Sequence, residues 1–389
     1  MRKVIVAIAD GMGDLPCPSG GNSPLQQAAT PTLDSMARHA VTGLCHTIPP
    51  MQPAGTETGL PALMGYSPEK YKLPRGPLEA LGYGISLDAD SVVWRLNIVS
   101  IDEHSLLHDF SAGHIDNELA LPLFRRAQAL AHESLFCVQG TSFRHLLVQR
   151  HNNPDEACAL KIPAPHESHG TPLRDFLRCL QSEPDLQRLI TGCLTMPESI
   201  APDGKRLMLW PWGQGSKPTL PPFEELHGRT AAMVAGIPLA KGIAVATGMS
   251  TPDIIGCTGD EHTCYRTKAE IAASLLQTHE TVFVHLEATD LCGHRQHFDD
   301  KCRAIERFDS EILHPLKQAC PDAVFVVTCD HLTPVQTGRH HCGPVPFMLH
   351  DTSLPDVCGK HFCEKTAALS GLIIPSGPAL LHLALTQGA

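Results

Sequence analysis

Three aspartates close apolar, β-branched runs: Lys3 to Asp10 (KVIVAIAD), Thr281 to Asp290 (TVFVHLEATD) and Ala323 to Asp330 (AVFVVTCD). Asp290 and His294 stand four residues apart, Asp330 and His331 are adjacent, and His340 or His341 follows shortly before Pro344-Val-Pro-Phe347. Carboxylates and imidazoles in this mixture suit a divalent cation such as Mn, Zn or Co, and hold Mg less selectively. Any one of the 23 histidines is by itself an ordinary capping or surface residue. What points to a metal centre is that three strand ends each offer acid or imidazole ligands. A separate stretch, Pro50 to Pro61 (PMQPAGTETGLP), sets two hydroxyls and a carboxylate between glycines. Glycine either side of Thr56-Glu57 permits a sharp turn that exposes a side chain, although surface loops are built from the same residues.

The elements that must position these groups follow from the same runs. Near-continuous apolarity reads as strands buried on both faces, hence a largely parallel sheet covered by helices. Helical patterns lie between them: Pro31 at a first helical position opens an amphipathic stretch to about His39, and Lys268 to His279 and Phe298 to Leu316 carry apolar residues at three and four spacing. Alternating strand and helix gives the α/β class. In such open sheets ligands bind beyond the carboxyl ends of the strands, where the three aspartates fall. Residues 109–221 are rich in His, Pro and Gln with weaker periodicity, and include Trp210-Pro211-Trp212-Gly213-Gln214-Gly215, read as a turn. They are expected to form an inserted domain within a core of 1–108 and 222–389.

The 389 residues, 42% hydrophobic and 18% charged, describe an ordinary globular chain that can bury a large core. A formal charge of −11 argues against a nucleic-acid or anionic-membrane partner, so any phosphate site must be local. The apolar run before Asp10 is too short for a signal peptide, and no stretch approaches the roughly 20 residues that span a bilayer. A cytoplasmic enzyme is expected. Fifteen cysteines without a C-x-x-C pair read as reduced thiols. Oligomeric state is not encoded in any of these features.

Taken in order, Asp10-Gly-Met-Gly-Asp14, Thr30-Pro-Thr-Leu-Asp34, Gly55-Thr56-Glu57, Gly65-Tyr66-Ser67-Pro68, Arg75-Gly-Pro-Leu-Glu79-Ala80, Asp290-Leu-Cys-Gly-His294, Asp330-His331 and His340 four residues before Pro344 form a specific set. The set resembles the cofactor-independent phosphoglycerate mutases, more narrowly their shorter, archaeal-type branch within the alkaline phosphatase superfamily. The resemblance runs from residue 3 to about 350 and is weakest in the middle.

That resemblance implies an alkaline phosphatase-like core with a smaller α/β cap acting as a lid, and two divalent ions, manganese foremost, with Mg, Co or Zn as alternatives. No bisphosphoglycerate would be needed. One ion would be held by Asp290, His294 and His340, the other by Asp10, Thr56, Asp330 and His331. Thr56 falls where the family has its nucleophilic serine, and would carry the phosphate between 3-phosphoglycerate and 2-phosphoglycerate as phosphothreonine. A bound cation favours the alkoxide and screens the phosphoryl group. The small phosphorylated hydroxy acid would be held by Arg75, Arg95, Arg144, His166 and Lys241, arginine suiting carboxylate and phosphate through its planar fork. The Trp-x-Trp-Gly-Gln-Gly-like segment at 210–215 also resembles relatives proposed to act in homoserine phosphorylation. A plain phosphatase and a metal-binding pseudoenzyme complete the alternatives.

Overall fold

A computed structural model describes residues 2–16, 21–201, 203–356 and 361–387. They form two compact units, one of residues 1–73 and 219–389 and the other of residues 74–218.

The first unit is built on a seven-stranded sheet in the order Ile373–Ile374, Ala40–Cys45, Val345–His350, Val324–Thr328, Val4–Ala9, Thr281–Leu286, Ala231–Val234. Val4–Ala9 runs parallel to both Val324–Thr328 and Thr281–Leu286, and Thr281–Leu286 is parallel to Ala231–Val234. Val345–His350 pairs antiparallel on both of its sides, so the sheet is mixed with a parallel centre. Every residue of Val4–Ala9, Thr281–Leu286 and Val324–Thr328 is buried, which is what a two-face-covered strand requires and why these runs lack polar alternation. The helix Tyr265–Thr278 packs on Thr281–Leu286 and Ala231–Val234, and Pro31–Ala37 on Ala40–Cys45. The long amphipathic stretch from Phe298 is one continuous helical rod, Phe298–Arg307, then a π-helical turn Phe308–Leu313, then His314–Ala319.

The second unit carries an antiparallel sheet. Its central strand, Ser91–Ile101, pairs with Leu107–Asp109, Arg144–Arg150 and Arg206–Ser216, and Arg144–Arg150 pairs in turn with Leu135–Thr141. One face buries Trp94, Phe124, Phe176 and Trp210 in a single cluster. Val93 and Leu146 pack instead with Ala80, from the helix Arg75–Gly82, and with Leu87.

Two expectations change here. The second unit begins at Pro74 rather than at 109 and ends at Pro218 rather than 221. Ser91–Ile101 is buried throughout and so imitates a core strand, but its partners all lie within 74–218. Likewise Trp210 to Gly215 is not a turn. It lies inside the strand Arg206–Ser216, with an irregularity opposite Val93 and Arg95 that lets Gly213 take φ +58°. Trp210 stacks on Phe176 at 3.8 Å, and the Trp212 indole donates to Asn97 Oδ1 at 3.0 Å. The thirteen described cysteines are free thiols, while Cys17 and Cys358 lie outside the described residues.

Candidate metal centre

The parallel centre of the sheet puts Asp10, immediately after Val4–Ala9, beside the residues that follow Thr281–Leu286 and Val324–Thr328. Asp290 is not at the strand end itself. It sits in the first turn of the helix Ala288–His294, so the four-residue spacing to His294 places both side chains on one helical face. His294 Nε2 lies 3.2 Å from Asp290 Oδ2, and His340 Nε2 lies 3.5 Å from Asp290 Oδ1. His294 Nδ1 donates to Gly338 O at 2.9 Å and His340 Nδ1 donates to Ala54 O at 3.1 Å. A carbonyl only accepts, so these contacts put the protons on Nδ1 and turn both Nε2 lone pairs inward. The two Nε2 atoms are 2.9 Å apart. Two facing lone pairs at that distance need a cation or a shared proton between them. His341 is exposed, in keeping with the choice of His340.

The second group gathers on Asp10, which is completely buried. His331 Nε2 stands 3.1 Å from Asp10 Oδ1 and 3.7 Å from Asp330 Oδ2, and Thr56 Oγ1 donates to Asp10 Oδ2 at 3.1 Å with His331 Nε2 at 3.5 Å. Asp10 Oδ1 and Asp330 Oδ2 are buried and accept no hydrogen bond among the described residues. Buried carboxylate oxygens left this way suit a metal ion. Asp10, Asp290 and His331 also converge among themselves, which joins the two groups into one centre.

Thr56 is the first residue of the helix Thr56–Leu63, following Gly55. That helix approaches Asp330 closely enough that a Cβ on Gly59 would stand 2.3 Å from the Asp330 carbonyl oxygen. Thr47 holds the same carbonyl through its hydroxyl at 2.6 Å. Gly11, at φ +60°, likewise passes so near Asp290 and Thr333 that a side chain there would collide with both.

The electrostatics follow from this crowding. Burial, then the charges of Asp330, Glu287 and Asp290, pushes the Asp10 carboxyl well above its ordinary range. Burial also opposes ionisation of Asp290, but contacts from His294 and His340 outweigh it and hold that carboxyl well below. His294 and His340 are raised despite burial because Asp290 faces them, while burial lowers His331. Several buried anions thus compete for protons where cations would neutralise them.

Other motif residues serve as anchors. Asp14 accepts from the fully buried Lys301 at 3.1 Å and from Val335 N at 3.0 Å, and Asp34 accepts from His361 Nδ1 and Phe362 N. In the second unit Arg75 and Arg95 converge on Glu79 at 2.9 and 3.2 Å, and the charge of Arg144 reaches the same carboxyl. Arg95 lies over the Trp212 ring at 4.4 Å, and His166 meets that ring edge-on. Lys241 is in the first unit, paired with Asp253 at 2.6 Å. Sequence reasoning passed over His285 and Glu287, which sit against Asp10, and Thr333, which donates to Asp290. The only signal for His285 and Glu287 was polarity at the carboxyl end of an otherwise apolar strand.

A family model described as the metalloenzyme superfamily matches residues 2–372. The 2,3-bisphosphoglycerate-independent phosphoglycerate mutase of Methanosarcina barkeri is 36% identical over 383 residues, covering 95% of each chain. The solved structure of the PH0037 protein from Pyrococcus horikoshii superposes with TM-score 0.81 at 27% identity, covering 100% of this chain and 98% of that one. The cofactor-independent phosphoglycerate mutase from Thermoplasma acidophilum shares the fold at TM-score 0.65 and 24% identity, with both chains fully covered.

Proposed function

The chain belongs to the 2,3-bisphosphoglycerate-independent phosphoglycerate mutase family within the metalloenzyme superfamily, and on that premise we propose that it interconverts 3-phosphoglycerate and 2-phosphoglycerate, with Thr56 carrying the phosphate in between. The observation that supports this most is the setting of Thr56. Its hydroxyl is buried at a helix start, oriented by Asp10 and within 3.5 Å of His331 Nε2. In this reading Thr56 Oγ1 forms a new bond to phosphorus as the bond from phosphorus to the C3 oxygen of glycerate breaks. The hydrogen bond to Asp10 Oδ2 gives the hydroxyl proton its direction. Return of the phosphate to the C2 oxygen restores Thr56, so no second phosphorylated cofactor is consumed.

Two divalent ions, manganese foremost, would be held by Asp290, His294 and His340 and by Asp10, Thr56, Asp330 and His331. When bound, they supply charge neutralisation for the phosphoryl oxygens and a lowered pKa for the hydroxyl. Arg75, Arg95 and Arg144, with His166 beside Trp212, and separately Lys241, would be the residues that recognise the anionic ends of the substrate. Residues 74–218 would serve as the lid that keeps water from the phosphoenzyme. Hydrogen exchange near residues 74 and 218 that slows with saturating substrate supports that role, and exchange that ignores substrate contradicts it.

The test is incubation of metal-reconstituted protein with 3-phosphoglycerate and no bisphosphoglycerate, following 2-phosphoglycerate and free phosphate together. Appearance of 2-phosphoglycerate alone is the expected result. Free phosphate alone would make the chain a phosphatase, and the absence of both products would contradict the reading.

A further inference from the structure

Beside the seven candidate ligands already described lie two further groups, His285 and Glu287, that share Asp10 with them. The fully buried imidazole of His285, the carboxylate of Glu287 and the carboxylate of Asp10 each offer one ligand atom, and these atoms all lie within 4.8 Å of one another. His285 is the fifth residue of the Thr281–Leu286 strand, in register with Ile8 of the neighbouring strand, and so is carried by a strand buried along its whole length. Its Nε2 stands 3.3 Å from Asp10 Oδ2, yet neither ring nitrogen makes a hydrogen bond among the described residues. A neutral imidazole always keeps one N–H and one lone pair. Leaving both unmet in a dry interior costs roughly 1–3 kcal/mol per group, so an apolar side chain would serve better at this position if packing were its only task. The nearby buried ammonium of Lys268 is directed at the backbone carbonyl of His285, at 2.9 Å, rather than at the ring.

We propose that Asp10, His285 and Glu287 form a further divalent-cation site, additional to the two ions of the preceding section. One imidazole and two carboxylates favour Mn, Zn or Co over Mg. The inference rests on the two-ion reading only through Asp10, which both use. A cation here would fix the Asp10 oxygen that also accepts the Thr56 hydroxyl, so the site would steady the orientation of Thr56 from behind.

The test uses the full chain, stripped with chelator and dialysed against Mn²⁺, with bound metal measured per chain by elemental analysis. Three ions are expected in the wild type and two in both Glu287→Gln and His285→Asn. Asp290→Asn, which acts on another group, should lose an ion while retaining sensitivity to Glu287→Gln in the double variant. Glu287 is only half-buried, so Glu287→Gln carries the test if His285→Asn fails to fold. Equal stoichiometry in wild type and Glu287→Gln overturns this site. If that shared number is two, the two-ion reading stands without it, and if the wild type binds no ion both fall.

Discussion

Gly59→Ala isolates the contact that sets the helix Thr56–Leu63 against the Asp330 segment of the candidate metal centre. The new Cβ would stand 2.3 Å from the Asp330 carbonyl oxygen and 2.8 Å from its carbon, whereas ordinary contact begins at 3.4 Å. The difference, 3.4 − 2.3, is 1.1 Å, and both obstacles are backbone atoms that cannot rotate away. The helix Thr56–Leu63 or the Asp330 segment must therefore shift by about 1 Å. Alanine is intrinsically better than glycine in a helix by ~1 kcal/mol, while overpacking of this kind costs typically ~1–3 kcal/mol, so net destabilisation of about 1 kcal/mol is expected. Activity should suffer more. A misplacement of about 1 Å at a reacting group can cost on the order of 10²-fold in rate, against the roughly fivefold shift in folding equilibrium that 1 kcal/mol represents. Urea unfolding and steady-state turnover of 3-phosphoglycerate measure the two effects side by side. Gly192→Ala, also within a helix, is the control, because its Cβ would meet only the tip of Leu130 at 3.3 Å, so turnover should stay unchanged and stability unchanged or raised by up to ~1 kcal/mol. A Gly59→Ala protein with wild-type turnover would refute the claim that close helix approach positions Thr56.

Chelation should lower the melting temperature, since removing cations leaves buried carboxylates facing one another, and added Mn²⁺ should restore it. A melting curve indifferent to chelator contradicts this. Asp290→Asn and Asp330→Asn should each reduce bound metal, because each removes an anionic ligand of nearly unchanged shape, and full stoichiometry in either would remove that residue from the ligand set. His145 should make stability pH-dependent: burial pushes it down to about 4 from 6.5, so below pH 6.5 the unfolded chain takes up a proton that the folded chain refuses. Stability is then lost as pH falls from 6.5 towards 4, by up to ~3 kcal/mol from this group. His145→Gln should flatten that slope in urea titrations, and parallel curves for the two proteins would show that the imidazole does not carry it.

The sheet's central strands were legible because burial on both faces leaves a continuous apolar run, and the helix beginning at Pro31 was legible from its proline. The seven candidate ligands from Asp10 to His340 were picked out through a resemblance between short motifs, and the structure brings their side chains to one strand-end region. His285 escaped because a lone imidazole inside a buried strand carries no spacing signal, and only the parallel register sets it beside Asp10. The role of Gly59 escaped for a related reason, since its constraint is a carbonyl some 270 residues further along the chain. The boundary at Pro74 was hidden because Ser91–Ile101 is as apolar as the core strands, and pairing partners, not composition, decide which sheet it joins.

The central claim is that Thr56 carries the phosphate, and trapping it is the most direct measurement. Metal-loaded protein is mixed briefly with 3-phosphoglycerate, quenched in acid, digested and examined by mass spectrometry. The account predicts an acid-stable phosphothreonine on the peptide containing Gly55-Thr56-Glu57, absent from Thr56→Ala, which should also lose turnover, and replaced by phosphoserine in a still active Thr56→Ser. Interconversion of the two phosphoglycerates by Thr56→Ala at near the original rate, with no phosphate on this peptide in the wild type, would contradict it.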